Sequence, residues 1–105
     1  MYKEMKTVTE IIESLRLEGY IHDFSVKDDL LFCNANEGRG YSPGELVIDK
    51  TERYEGDSNP SDNEIIYAIT ASDGIRGVVS DSYGVYSDPI LAKIIGDIPL
   101  NNESA

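Results

Sequence analysis

Two runs of strand-forming residues flank the tripeptide Ser-Asp-Gly at positions 72–74, and this hairpin constrains the fold more than any other feature. Residues 65–69, IIYAI, are apolar in succession, which predicts a strand over 64–71 that is central or covered on both faces. A three-residue loop pairs Tyr67 with Val79, whereas a two-residue Asp-Gly loop shifts the second strand, 75–81, by one position. The three-residue loop is favoured because it gathers apolar side chains on one face, namely Ile65, Tyr67, Ile69, Ile75 and Val79.

One helix is predicted before the strands along the chain and a second after them. Thr7 and Glu10 fit a capping box that starts a helix over about 8–18, and Gly19 can adopt the positive φ that ends it. Asp88 suits the N-cap of a second helix over about 89–95, because Pro89 then takes the first position, where its missing N–H costs nothing. The tail, 97–105, is expected to be frayed.

A second hairpin is predicted after the first helix. Strands over about 21–27 and 30–33 surround a turn at Asp28 and Asp29. The facing pairs are Phe24 with Cys33 and Val26 with Leu31. Residues 34–45 contain three glycines and a proline, and we expect them to be irregular.

The remaining strand, 46–54, completes the expected fold. Its alternation places Leu46, Ile48 and Tyr54 on one face and polar residues mostly on the other. Consecutive strands joined by short loops pair antiparallel, and amphipathic helices need an apolar sheet face to cover. The sequence therefore predicts a single α+β domain over 1–105, in which one antiparallel sheet of four to five strands carries both helices on one face.

The net charge of −11, from 20 acidic and 9 basic side chains, limits the partners. Affinity for nucleic acids and for anionic membranes comes mainly from Lys and Arg, so we expect neither as a partner. Cys33 and His22 are the only residues of their kind, and no phosphate-binding glycine motif occurs, so we predict no metal and no other cofactor. The chain lacks a signal peptide and a membrane-spanning apolar run, which predicts a soluble cytoplasmic protein.

The most suggestive cluster combines tyrosines with one Arg and one acid. It consists of Arg53, Tyr54, Asp81, Tyr83 and Tyr86. Tyrosine rings with a polar tip are common where one protein meets another, which predicts a binding surface. The alternative is a structural pairing of the Arg with the Asp at the end of the sheet.

Segments 53–69, RYEGDSNPSDNEIIYAI, and 74–88, GIRGVVSDSYGVYSD, resemble a small bacterial family of about this length, often labelled phosphoribosylpyrophosphate synthetase. The resemblance extends over most of the chain. A loop that binds phosphoribosyl pyrophosphate follows a strand with two adjacent acids and a Thr/Gly run. Residues 78–84, VVSDSYG, have one acid, Asp81, and place Tyr83 where a small residue is needed, so we do not expect synthetase activity.

Three functions remain open from the sequence. The leading hypothesis is a non-catalytic domain that binds a protein or a small ligand, because no nucleophile–base pair, metal cluster or phosphate motif is recognisable. The second is an acidic inhibitor or immunity-type protein that blocks a basic enzyme. The third is a small enzyme that uses carboxylates. A homo-oligomer also remains open.

Overall fold

The computed structural model describes residues 7–34, 36–54, 64–82 and 88–101, with 36–38 and 82 described by their backbone alone. Within these ranges, the helices are α1 (Val8–Leu17) and α2 (Pro89–Asp97). The strands are β1 (His22–Lys27), β2 (Leu30–Cys33), β3 (Asn36–Tyr41), β4 (Leu46–Tyr54), β5 (Glu64–Ala71) and β6 (Arg76–Ser82). A short 3₁₀ helix, Pro43–Glu45, joins β3 to β4. No helix in the described residues is long and apolar enough to cross a membrane.

Both helices begin at the predicted caps. The N–H of Glu10 donates to Thr7 Oγ1 (3.1 Å), and the N–H of Thr7 donates to Glu10 Oε1 (3.0 Å), so the capping box of α1 is complete. The carboxylate of Asp88 accepts from the N–H groups of Ile90 (2.9 Å) and Leu91 (3.4 Å) at the start of α2. Short-range capping chemistry thus fixes where each helix starts.

The strands form one six-stranded sheet in the order β3-β2-β1-β6-β5-β4. Strand β1 runs parallel to β6, with His22 opposite Gly77, while the other neighbours are antiparallel. A Cβ added to Gly77 would lie 2.6 Å from the carbonyl oxygen of His22, so glycine permits this close pairing. The α+β class is confirmed, but the prediction of four to five antiparallel strands is wrong, because β1 and β6 are separated by a connection long enough for parallel pairing.

The two helices pack on opposite faces of the sheet, not on one face as the sequence suggested. Side chains alternate along β5, so Ile66 and Ala68 join α1 in one core while Ile69 and Ala71 join α2 in the other. The α1 core consists of Ile11, Leu15, Tyr20, Ile66, Ala68 and Val78. The run of apolar residues in β5 predicted a strand that is central or covered on both faces, and here a helix covers each face.

The predicted hairpin registers are observed. In the hairpin of β5 and β6, Tyr67 lies opposite Val79, which is the register of the three-residue loop. In the hairpin of β1 and β2, Phe24 lies opposite Cys33. Both turn residues between these strands have positive φ, 54° at Asp28 and 65° at Asp29, as a type I′ turn requires.

Strand β3 occupies part of the stretch 34–45 that was expected to be irregular. Its pairing with β2 places Tyr41 opposite Leu31, and the Tyr41 side chain is fully buried. The ring of Phe24 meets the Tyr41 ring edge to face at 6.0 Å. This aromatic burial outweighs the low strand propensity of the glycines, which is why propensity alone missed the strand.

A β-bulge divides β4. The pairing with β5 shifts between Ile48 and Lys50 and leaves Asp49 as the extra residue. The bulge reverses the alternation of side chains, so Tyr54 packs beside the α1 core while Leu46 and Ile48 belong to the α2 core. The prediction that these three side chains share a face is therefore wrong.

The chain after α2 follows the outer edge of β4. The N–H of Ile48 donates to the carbonyl of Pro99 (3.0 Å), and the N–H of Asn101 donates to the carbonyl of Ile48 (2.9 Å). Ile98 is buried in the α2 core. The expected fraying is thus wrong for 98–101, because this segment satisfies edge groups of β4, and 102–105 lie outside the described residues.

Candidate binding groove

Asp49 is the centre of a side-chain network at the β4 bulge. Its Oδ2 accepts from the Tyr20 hydroxyl (2.9 Å) and from Thr70 Oγ1 (2.5 Å), and its Oδ1 accepts from Asn101 Nδ2 (3.0 Å). These donors come from the connection between α1 and β1, from β5 and from the segment after α2. Asp49 lies on the face opposite Leu46 and Ile48, as alternation along the strand requires, and there it joins three parts of the chain that are distant in sequence.

Arg76 lies beside this network at the C-terminal end of α1. Its guanidinium stacks on the Tyr20 ring (4.2 Å to the centroid), and its Nε donates to Thr70 Oγ1 (3.3 Å). Its Nη1 donates to the carbonyl of Glu18 (3.2 Å), so the arginine also caps the negative end of the helix dipole. The close approach depends on Gly19, whose φ is +108° and where an added Cβ would lie 2.7 Å from Arg76 Nη1.

The network changes the acidity of its members. Burial alone would raise the pKa of Asp49, but the hydrogen bonds from Thr70, Asn101 and Tyr20, with the nearby charge of Arg76, hold that pKa below its usual value. Burial and the neighbouring Asp49 carboxylate raise the pKa of the Tyr20 phenol. Asp49 is therefore an anion at neutral pH, and Tyr20 is a neutral hydrogen-bond donor.

An open groove of about 620 Å³ lies on this network, and we call it the Asp49 groove. Its polar lining includes Asp49, Lys50, Thr70, Ser72, Arg76 and Asn101. Its accessible apolar lining comes from Val47 and Pro99, while Leu46 and Ala71 also border it but are buried in the α2 core. At its rim, Lys50 Nζ forms an ion pair with Glu18 Oε1 (2.6 Å). The groove combines apolar walls with convergent polar groups, which is the composition of small-molecule sites.

A second Arg–Tyr–Asp arrangement adjoins the groove. The Tyr41 hydroxyl donates to Asp73 Oδ2 (2.7 Å), and the Arg39 guanidinium lies over the Tyr41 ring (4.5 Å). Arg39 also pairs with Glu45 (3.3 Å), a residue of the groove lining. Burial and the Asp73 carboxylate raise the pKa of Tyr41 to about 12. This network fixes the Ser72–Gly74 turn against β3 and so supports one end of the groove.

The residues predicted as a site do not line the Asp49 groove. Arg53 and Asp81 both lie opposite Ile65, on the α2 face. Burial raises the pKa of Tyr67 there, Asp81 raises it further and Arg53 lowers it, so both charges act on one phenol. Asp81 also accepts from the N–H of Asp88 (3.1 Å), which gives it a structural role at the start of α2.

The predicted tyrosines do not join Arg53 and Asp81 in the described part of the chain. Tyr54 projects to the opposite face, beside the α1 core. Tyr83 and Tyr86 lie outside the described residues.

Sequence reasoning missed the groove because its residues are scattered and unremarkable in type. Asp49 reads as an ordinary polar position in an alternating strand, and nothing in LVIDKTERY marks the bulge. The one available signal was Tyr20, a large aromatic directly after the helix-ending Gly19. Among the described residues, no group of three or more His, Cys, Asp or Glu side chains is placed to hold a metal ion.

Comparison of the chain with protein-family models, with curated proteins and with solved structures found no match. The interpretation of the groove therefore rests on its own geometry.

Proposed function

We propose that this protein is a non-catalytic binding domain that receives a small ligand in the Asp49 groove. The observation that carries the proposal is the convergence of Asp49, Thr70 and Arg76 on one open groove with apolar walls. Each of these side chains is held by at least one further contact, so they are oriented before a ligand arrives. Preorganised polar groups of this kind give orientation and specificity to a small-molecule site.

The lowered pKa of Asp49 favours binding over catalysis. A general acid or base works best with a pKa near the operating pH, and such a carboxyl needs its pKa raised. The pKa of Asp49 is lowered instead, and its carboxylate already accepts three hydrogen bonds. A carboxylate in this state is suited to holding a donor, and it is poorly suited to exchanging protons.

The proposal is tested by mapping fragment binding on the ¹⁵N-labelled protein. A library of small organic fragments of mixed charge is titrated, and backbone amide shifts are followed at Val47, Thr70 and Ser72. We expect fragment-induced shifts to cluster at these groove residues. Shifts that are absent, or scattered over the surface, would refute a groove that binds small ligands.

A blocking variant and a matched control sharpen this test. Ser72 is exposed and lines the groove, so Ser72→Tyr should occupy it and remove the shifts. Ser80 is an exposed serine on β6 outside the groove lining, so Ser80→Tyr should leave the shifts in place. Equal loss of binding in both variants would show that a general disturbance of the sheet, rather than the groove, accounts for the result.

An acidic inhibitor of a basic enzyme is the second candidate, and the net charge of −11 favours it. Such a complex would associate faster at low salt, because opposite charges steer the encounter. An association rate with a basic partner that is equal at low and high salt would count against it.

A further inference from the structure

The Asp49 groove presents two opposite charges at a fixed short separation. Asp49 and Arg76 are both bonded to Thr70 Oγ1, and both contact Tyr20, through its hydroxyl and its ring respectively. These shared partners hold the carboxylate and the guanidinium a few ångströms apart on one side of the groove. No salt bridge within 4.0 Å joins them.

Arg76 retains capacity for an anionic group. Among the described residues, no carboxylate lies within salt-bridge distance of its guanidinium. Its hydrogen bonds go to a carbonyl and a hydroxyl, which engage Nη1 and Nε and leave most of its N–H groups available. Arg76 lines the groove, and a guanidinium suits a carboxylate because it can donate two parallel hydrogen bonds.

Asp49 retains capacity for a cationic donor. Three side chains donate to its oxygens, which leaves room for roughly one further donor on an ionised carboxylate. Asn101 is the only one of these donors on Oδ1. An ammonium group is the complementary ligand, because a charge-assisted hydrogen bond is shorter and stronger than a neutral one.

The charge of the whole protein decides between ligand classes. A ligand with a lone negative charge approaches against a net charge of −11, and one with a lone positive charge is attracted to carboxylates over the whole surface. A ligand with no net charge avoids both effects and can still use both groove charges. The half-buried Val47 and the exposed Pro99 then offer apolar contact for an aliphatic side chain.

We infer that the groove binds a small zwitterion of the α-amino-acid type, with its carboxylate on Arg76, its ammonium on Asp49 and an aliphatic side chain against the apolar wall. This inference rests on the proposed function and specifies the ligand class of the same groove.

The test compares probes that differ only in which charge they keep. L-leucine carries both charges, N-acetyl-L-leucine only the carboxylate, L-leucinamide only the ammonium, and N-acetyl-L-leucinamide neither. Each is titrated into the ¹⁵N-labelled protein at moderate salt, and the dissociation constant is taken from shifts at Val47, Thr70 and Ser72. We expect leucine to bind at least tenfold more tightly than either singly charged probe, and the uncharged probe to bind most weakly.

Two substitutions assign each charge to its partner. Arg76→Gln should make leucine and leucinamide bind alike, because the carboxylate has lost its partner. Asp49→Asn should make leucine and N-acetyl-leucine bind alike, because the ammonium has lost its partner. If either variant fails to fold, the comparison of the four probes on the wild-type protein still decides the question.

The unfavourable outcomes separate the two proposals. If mixed fragments bind in the groove but leucine does not, or if a singly charged or uncharged probe binds as tightly as leucine, the zwitterion assignment is wrong and the binding groove stands. If no fragment and no probe shifts the groove amides, both proposals are wrong.

Discussion

Replacing Asp49 with alanine should cost more stability than any other change of an exposed or half-exposed charge in the described residues. The substitution removes one acceptor and leaves three donors without a partner, on Tyr20, Thr70 and Asn101. The bond from Asn101 is exposed, so water can replace it at little cost. The bonds from Tyr20 and Thr70 are partly buried, and a buried donor without an acceptor costs roughly 1–3 kcal/mol.

The two partly buried donors together set the expected size of the effect. Their summed cost is roughly 2–6 kcal/mol, and because both bonds are only partly buried we expect Asp49→Ala to lower the free energy of unfolding by about 2–4 kcal/mol. For a domain of this size, that loss lowers Tm by roughly 10–20 °C. The assay is urea unfolding followed by far-UV circular dichroism, because the chain has no Trp to report by fluorescence. The exposed Glu13→Ala on α1 serves as a matched control and should stay within about 0.5 kcal/mol of wild type.

The pH dependence gives an independent check on the same residue. The pKa of Asp49 in the folded protein lies below its ordinary value, so its contribution is present above the unfolded pKa of about 4 and is lost as pH falls through the folded pKa. The stability difference between wild type and Asp49→Ala should therefore shrink below about pH 4. An Asp49→Ala loss under about 0.5 kcal/mol at neutral pH would show that solvent satisfies the donors and that the network is not a structural centre.

Three further substitutions test other parts of the structure. Asp29→Gly should raise the free energy of unfolding by about 0.5–1 kcal/mol, and with it the urea midpoint, because glycine adopts the observed φ of 65° without the Cβ clash. A lower midpoint would contradict the turn geometry. The pKa of Tyr41 is raised to about 12 in the folded protein. The stability that the phenol contributes is therefore complete below about pH 10, its unfolded pKa, and is lost as pH rises through about 12. Tyr41→Phe should thus lose less stability than wild type over that interval in alkaline unfolding curves, and identical curves would contradict the burial of the phenol. Gly19→Ala should cost about 1–2 kcal/mol and weaken ligand binding by displacing Arg76, whereas Gly96→Ala on α2, where an added Cβ meets no atom within 4 Å, should be neutral or stabilising in the same urea assay.

Local chemistry explains what could be predicted about the fold. The caps at Thr7 and Asp88 depend on residues two or three positions apart, and the register of Tyr67 against Val79 depends on the length of one short loop; each is observed. Strand β3 was missed because its stability comes from burying Tyr41 against β2 and Phe24, which no local pattern reports.

The candidate site was the least predictable part. Its residues reach one another across separations of 29 positions from Tyr20 to Asp49 and 52 positions from Asp49 to Asn101. Alternation from Leu46 and Ile48 does place Asp49 on the opposite face, but nothing within β4 identifies the distant residues that it meets there. The binding surface predicted from the sequence was chosen by residue type. In the structure, alternation along the strand places Tyr54 on the face opposite Arg53 and Asp81.

By itself, the amino-acid order determined the helix starts, the hairpin registers, the α+β class and the strong negative charge, because these depend on neighbouring residues or on simple counts. Tertiary packing decided the parallel pairing of β1 with β6, the placement of the helices on opposite faces and the assembly of the Asp49 groove. Each of these features depends on contacts between segments far apart along the chain. Total burial and hydrogen bonding, rather than local preference, decide between the competing arrangements of such segments.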